Sequence, residues 1–279
     1  ALVSIEGEFD DQLAQAIWAG ERRPRGHLMA QSLGAHVGLP SAPRLKGLRV
    51  VRIAIHPATQ RRGLGSQLLR AVREHAARLG CDYLGTSFGV SQDLLRFWWA
   101  NGLQPVRLGL RPGTSSGEHA LLMIDPITDQ GQQMVALARE RFAHQLPALL
   151  GDPLRHLPAP LAASLLLTCS PAVQMDLDSE AWSDLIGFAY KRRGYETSLP
   201  AIQRLALRGL TNESLGPGDR ELLVMRVIQK RSWSSCATQA GLSGRGETED
   251  KLREIMAALL QRLSNQTLST LLRQFNINP

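Results

Sequence analysis

The sequence predicts an α/β domain followed by a mainly helical one, and three features carry that expectation. Residues 1–128 alternate short β-branched runs with stretches of helical period. From Asp178 onward only the helical period persists. Between the two, Pro153, Pro158, Pro160 and Pro171 punctuate the chain. The expected division is 1–128, an α/β domain; 129–177, a helix and Pro-rich linker; and 178–279, a helical tail.

Each element has a local reason. Residues 1–5 open the chain as a strand, and the β-branched run at 50–55 reads as another. Residues 66–79 read as a helix, because Leu68, Leu69, Val72 and Ala76 share one face while Arg70, Arg73 and Glu74 point away. Gly80 suits its end. A strand over 82–88 and a helix over 92–101, stopped by Gly102, come next; strands over 106–110 and 119–124 complete the set. Thr128 can cap a helix running to about Leu150, with Met134, Ala138, Phe142 and Leu146 as its seam. In the tail, Trp182, Leu185, Ile186 and Ala189 form one apolar stripe. Leu252, Ile255, Met256, Leu259 and Leu263 form another.

Composition narrows the class. The apolar fraction is 43%, yet no apolar run approaches the roughly 20 residues that span a bilayer. No secretory signal pattern opens the chain. It starts on Ala1 rather than Met, which suggests a piece of a longer protein. Cys81, Cys169 and Cys236 are isolated, a pattern of free thiols in a reducing cytoplasm rather than of disulfides or zinc. The net charge is +7, with 15 Lys and Arg against 10 Asp and Glu in residues 1–128, and 14 against 10 in 180–279. Two basic ends suit a polyanion such as RNA, and equally a merely soluble basic protein.

The segment Gln60-Arg61-Arg62-Gly63-Leu64-Gly65-Ser66 follows a strand and opens a helix. Backbone N–H groups at a helix start favour phosphate, and glycines let it approach closely. Arg61 and Arg62 add charge. The pattern is neither a Walker A loop nor a dinucleotide fingerprint. Alone it also fits an ordinary strand–helix turn.

RIAIHPATQRRGLGSQLL (52–69) resembles the cofactor motif of GNAT acetyltransferases. That resemblance implies a GNAT-type mixed sheet flanked by helices, N-terminally incomplete here, and acetyl-CoA as cofactor. It assigns Ile53, Ala54 and Ile55 to the pantetheine, Gln60, Arg61, Arg62, Gly63, Leu64, Gly65 and Ser66 to the pyrophosphate, and the 82–88 strand to the opposite wall. The flanking segments WAGERRPRGHLMAQSL (18–33), CDYLGTSFG (81–89), LLRFWWANGL (94–103), TSSGEHALLMIDP (114–126) and AWSDLIGFAYKRR (181–193) resemble one branch, the tRNA(Met) cytidine acetyltransferases. This implies acetylation of N4 of the wobble cytidine of elongator tRNA(Met), in the cytoplasm. It also implies a longer parent chain, with an N-terminal region, an ATP-driven helicase-like module and the start of the GNAT domain outside this sequence.

The resemblance further places a cofactor contact, usually Glu, at Asp93. A position that is Arg in a relative falls on Ala100, with Arg96 one turn earlier as a possible substitute. Where many GNATs carry an acidic Tyr, this chain has Trp98, whose indole cannot donate a proton at neutral pH. Ile55 is the expected backbone oxyanion donor. His56 and His119 are the candidate proton acceptors, since imidazole titrates near pH 6.5; His-Pro is also an ordinary turn.

For RNA, Arg22, Arg23 and Arg25 form a compact basic loop before the cofactor strand. In the tail, Lys191, Arg192 and Arg193 follow Tyr190, and Lys230-Arg231 precedes Trp233. Basic clusters beside aromatics suit a nucleic-acid backbone and its bases; charged helix ends are the plainer alternative. Three functions stay open: an RNA cytidine acetyltransferase, a GNAT acting on a protein or small-molecule amine, and a non-catalytic RNA-binding module.

Overall fold

The computed structural model describes residues 1–114, 117–169, 177–211, 215–263 and 265–274. The chain divides into two compact units, Ala1–Phe142 and Ala143–Pro279.

The first unit is built on five strands: β1 (Leu2–Gly7), β2 (Lys46–Arg52), β3 (Tyr83–Gly89), β4 (Gln104–Pro112) and β5 (His119–Pro126). Their order is β1-β2-β3-β5-β4. Only β2 and β3 run parallel, so the sheet is mixed. The crossover joining them is α3 (Leu64–Arg78), as a parallel pair requires. Helices α1 (Asp11–Trp18) and α2 (Leu28–Gln31) fill the connection from β1 to β2, and α2 continues into a π-helical turn at Ser32–His36. Helix α4 (Gln92–Ala100) joins β3 to β4, with Ser91 Oγ capping it at Leu94 N–H.

Helices cover both faces of the sheet. On one face Met29 and Leu33 of the α2 segment and Met134, Val135 and Ala138 pack with Tyr83, Leu122 and Ile124. On the other, Arg73 of α3 pairs with Asp125 of β5 at 2.6 Å. Burial holds the Asp125 carboxyl above its ordinary range despite that cation. Helix α5 (Asp129–Gly151) starts where Thr128 Oγ1 accepts the Gly131 N–H at 3.1 Å. Met134, Ala138, Phe142 and Leu146 are all buried, as their spacing predicts.

Three expectations are corrected. The strand expected over 50–55 ends at Arg52, because its pairing with β3 stops at Val50↔Thr86 and its pairing with β1 stops at Leu2↔Arg52. The helix expected from Ser66 begins at Leu64, because Gly63 takes the left-handed conformation (φ 79°) and turns the chain into it at once. Gly65 and Ser66 are therefore first-turn residues. Within the expected linker, residues 159–167 form a helix, α6 (Ala159–Leu167). Pro160 lies in its first turn, where a missing N–H costs nothing, and Leu161, Ala162, Ala163, Leu165 and Leu166 are buried. Pro171 falls outside the described residues.

The second unit is helical: α6, α7 (Ser179–Tyr190), α8 (Tyr195–Leu210), α9 (Pro217–Leu223), α10 (Trp233–Ala240), α11 (Arg245–Leu263) and α12 (Asn265–Gln274). Asp178 Oδ1 caps α7 at Ala181 N–H. Leu185 and Ile186 of α7 and Leu252, Ile255, Met256 and Leu259 of α11 are buried. Gly209 lets α8 and α11 meet closely, since a Cβ there would stand 2.8 Å from Leu259 Cδ1. Arg226 lies against the rings of Trp233 and Tyr195, 4.1 and 4.8 Å from their centroids. No helix among the described residues is long and apolar enough to cross a membrane.

Candidate functional site

β2 and β3 part company midway. Their parallel ladder runs from Gly47↔Tyr83 to Val50↔Thr86 and ends. β3 then stays with β5 as far as Gly89↔Ala120, while the chain after Arg52 leaves the sheet. Among the described residues, the backbone N–H groups of Ile53, Ala54 and Ile55 have no hydrogen-bond partner. An unpaired extended stretch beside a diverging strand can take an added strand-like ligand.

The same segment leads into a second row of free donors. His56 Nδ1 accepts the Ala58 N–H at 3.3 Å, and Gln60 Nε2 donates to the Ile55 carbonyl at 3.1 Å, closing a short turn. Arg61 (φ 60°) and Gly63 (φ 79°) are both left-handed. The first N–H bonded back at the start of α3 is that of Gln67, to Gly63 O at 3.0 Å. No partner exists among the described residues for the N–H groups of residues 61–66. Six consecutive donors at a positive helix end form a cradle for a polyanion. The strained φ at Arg61, a cost of about 1 kcal/mol or more, is a local sign that the loop's shape is not set by packing alone.

Around this cradle the predicted residues fare differently. Asp93 pairs with Arg96 at 2.6 Å, and both are exposed. Ala100 lines a cleft of about 270 Å³ with Ser66, Arg70 and Arg73. Trp98 is buried and stacks on Phe88 at 5.7 Å, with Phe97 edge-on at 5.3 Å. His119 Nδ1 lies 2.8 Å from Gly109 O, so it carries the proton and leaves Nε2 as the acceptor. His56, whose Nδ1 accepts, has the opposite tautomer.

A second cavity, about 520 Å³, lies on the sheet face that carries α2. The loop residues Arg22, Arg23 and Arg25 line it together with His36 and Arg49. The three loop arginines are exposed and make no ion pair among the described residues. Gly26 (φ 87°) turns the loop, and Gln31 Nε2 donates to Pro24 O to hold it. Loss of solvent, then Arg107 and Arg23, lowers the His36 pKa, so the ring is neutral near pH 7. Beneath the cavity the fully buried Glu6 carboxylate accepts Arg49 Nε at 2.5 Å and Met29 N–H at 2.7 Å. Arg49, Glu6 and His36 are not evident in the linear sequence as site residues. The available signal is that Glu6 and Arg49 are charges within otherwise half-buried strand patterns.

In the tail, Lys191, Arg192 and Arg193 are exposed at the end of α7, with Arg193 paired to Asp184 at 2.9 Å. Arg231 is committed to structure, donating to the carbonyls of Arg155 and Leu157 and to Gln239 Oε1. Among the described residues no group of His, Cys, Asp and Glu could hold a metal ion.

A family model described as GNAT acetyltransferase 2 matches residues 1–79 and 68–128, and one described as a tRNA-binding domain matches 131–266. A tRNA(Met) cytidine acetyltransferase TmcA of Nitrosococcus halophilus is 42% identical over 272 residues, 96% of this chain and 36% of the relative. The proteins of that name from Citrobacter koseri and Vibrio cholerae are 39% and 35% identical, over 78% and 92% of this chain and 34% and 35% of their own lengths. The chain thus spans about a third of the length of the curated relatives it matches.

Proposed function

Because this chain belongs to the tRNA(Met) cytidine acetyltransferase family, we propose that it binds acetyl-CoA and RNA and directs acetyl transfer to N4 of the wobble cytidine of elongator tRNA(Met). The observation that carries the reading is the run of unpaired donors: residues 53–55 at the diverging strands, then residues 61–66 at the start of α3. In this proposal Ile53, Ala54 and Ile55 hold the pantetheine by backbone pairing. Gln60 shapes the turn, and Arg61, Arg62, Gly63, Leu64, Gly65 and Ser66 hold the pyrophosphate. Asp93 stands by through its pair with Arg96. Any use of ATP belongs to parts of the longer protein outside residues 1–279.

Bound acetyl-CoA supplies an activated acetyl thioester. The acceptor is an aromatic amine whose lone pair is delocalised into the ring, so alignment matters more than basicity. The unpaired Ile55 N–H is the donor proposed for the thioester carbonyl oxygen, where charge would develop. A proton must leave N4 as the bond forms. His56 can take it only in a rotamer that gives up the Ala58 N–H. His36 is neutral and lines the cavity on the α2 face, and we assign it that role. Arg22, Arg23 and Arg25 grip phosphate around the displaced nucleotide, and Lys191, Arg192 and Arg193 extend the contact in the tail. The three cysteines are buried free thiols, in keeping with a cytoplasmic setting.

The test is mass spectrometry of elongator tRNA(Met) incubated with acetyl-CoA and the full-length protein. N4-acetylcytidine at the wobble position is expected, with a loss of at least tenfold in the Arg22/Arg23/Arg25→Ala variant. Acetylation of a protein or polyamine amine in place of RNA overturns the reading.

A further inference from the structure

We infer that Arg49, aimed by the buried Glu6, reads the base edge of the acceptor nucleotide and makes the cavity on the α2 face selective for cytosine over uracil. The inference rests on the RNA acetyltransferase reading above and names a specificity residue for it.

Geometry places Arg49 between the two parts of the site. Alternation along β2 puts Arg49 on the face opposite α3: it is registered with Ser4 and with Gly85, and a Cβ on Gly85 would stand 2.6 Å from Met29 Sδ of α2. α3 covers the other face, through Arg73 and Asp125. The cavity and the cofactor cradle are therefore on opposite faces, and the parting of β2 and β3 beyond Val50↔Thr86 is the proposed route between them. Arg49 precedes Ile53 by about 13 Å of strand rise, a span that a side chain and one pyrimidine can bridge.

The pair with Glu6 decides what Arg49 can do. Glu6 is fully buried; one oxygen takes Arg49 Nε, the other the Met29 N–H. That anchors the guanidinium and uses only one of its five N–H donors. Its two NH2 groups have no partner among the described residues. A fixed planar fork of donors fits two adjacent acceptors. Cytosine offers N3 and O2 side by side, with N4 next to N3 and free to point through the gap. Uracil in the same pose turns an N3–H toward the fork, setting donor against donor and leaving both unsatisfied. A sound bidentate base contact is worth a discrimination of about tenfold or more. Phosphate recognition in the same cavity falls to Arg22, Arg23 and Arg25, which lack such an anchor.

The test measures binding of two short RNAs, identical except for a central cytidine or uridine, to the chain by fluorescence anisotropy. The unmodified protein is expected to prefer the cytidine RNA by about tenfold. Arg49→Lys and Arg49→Gln should reduce that preference to about twofold or less. Glu6→Gln, which keeps an acceptor for Met29 N–H, should lose the preference while holding affinity for the uridine RNA. Glu6 is a positioning residue, and a merely structural role would weaken both RNAs alike. Lys at 49 keeps a cation beside Glu6, so it serves if the Gln variant does not fold. No preference in the unmodified protein, or a preference intact in Arg49→Lys, overturns the inference. Elongator tRNA(Met) scored for N4-acetylcytidine with the full-length protein and its Arg49→Lys variant separates the two levels. Preference without acetylation sinks the acetyltransferase reading alone, and acetylation with discrimination unchanged in Arg49→Lys sinks the base-reading role alone.

Discussion

The edge of the Phe97 ring lies 3.0 Å from the point that a Cβ on Gly65 would occupy, with a second ring carbon at 3.2 Å. Gly65 is thus small because α4 packs on the first turn of α3, whereas Gly63 has open space around it and is needed for its left-handed φ. The two glycines should fail differently. Gly65→Ala must shift Phe97 or the helix start, with an overpacking cost of about 1–3 kcal/mol. Gly63→Ala should cost only the strain, about 1 kcal/mol. Both should weaken acetyl-CoA binding at least tenfold by calorimetry, and wild-type affinity in Gly65→Ala would remove the cradle from the cofactor site.

Tyr83 sets up a second contrast. Its hydroxyl is buried with no hydrogen-bond partner among the described residues, and burial pushes its pKa far up. Tyr83→Phe should therefore stabilise the protein by about 1 kcal/mol in urea unfolding. A loss instead would reveal an ordered water or partner at that hydroxyl. Gly47→Ala should be destabilising, because its Cβ would stand 2.4 Å from the same ring.

His36 gives a pH signature. Its pKa is lowered from 6.5 by loss of solvent first, then by Arg107 and Arg23. If it accepts the N4 proton, the rate falls as pH drops through that lowered value rather than through 6.5. The acid limb of kcat/KM should lie below 6.5, and His36→Gln should lower kcat while leaving tRNA affinity within about twofold. The fold adds a linked effect. The unfolded chain takes up this proton at a higher pH than the folded one, so stability should decline below pH 6.5, and less steeply in His36→Gln. Equal acid sensitivity of the two melting temperatures would count against the lowered pKa.

Local signals carried much of the fold. From β2 to β5 the order of strands and helices follows from period, whereas α1 and α2 between β1 and β2 are not expected from it; the α5 seam of Met134, Ala138, Phe142 and Leu146 is buried as spaced. The loop proposed as the cofactor cradle is legible as a resemblance because its residues 60–66 are consecutive in the chain. What escaped depends on partners far apart in sequence. The end of β2 at Arg52 is set by where its pairing with β3 and then with β1 runs out. Helix α6 hid behind its flanking prolines, which at a helix start are compatible with the fold. Arg49 became a site residue only through Glu6, 43 positions away. Charge patterning in the tail also misleads singly: Arg231 looks like a phosphate grip, yet its guanidinium is spent on backbone carbonyls.

That distinction between free and committed arginines yields a salt test. Each phosphate neutralised by a side chain lowers the slope of log affinity against log salt by about 0.7–0.9. Arg22, Arg23 and Arg25 are exposed and unpaired among the described residues, so Arg22/Arg23/Arg25→Ala should flatten the slope by about 2–3 units. Arg231→Ala should leave the slope alone and instead lower stability, since it strips donors from the Arg155 and Leu157 carbonyls. Lys191→Ala with Arg192→Ala should flatten the slope by about 1–2 units. Anisotropy titrations of tRNA from 50 to 300 mM salt distinguish these outcomes. A slope unchanged in the triple variant would mean that the loop faces RNA without touching its phosphates, and the cavity would then have to hold its nucleotide through Arg49 and His36 alone.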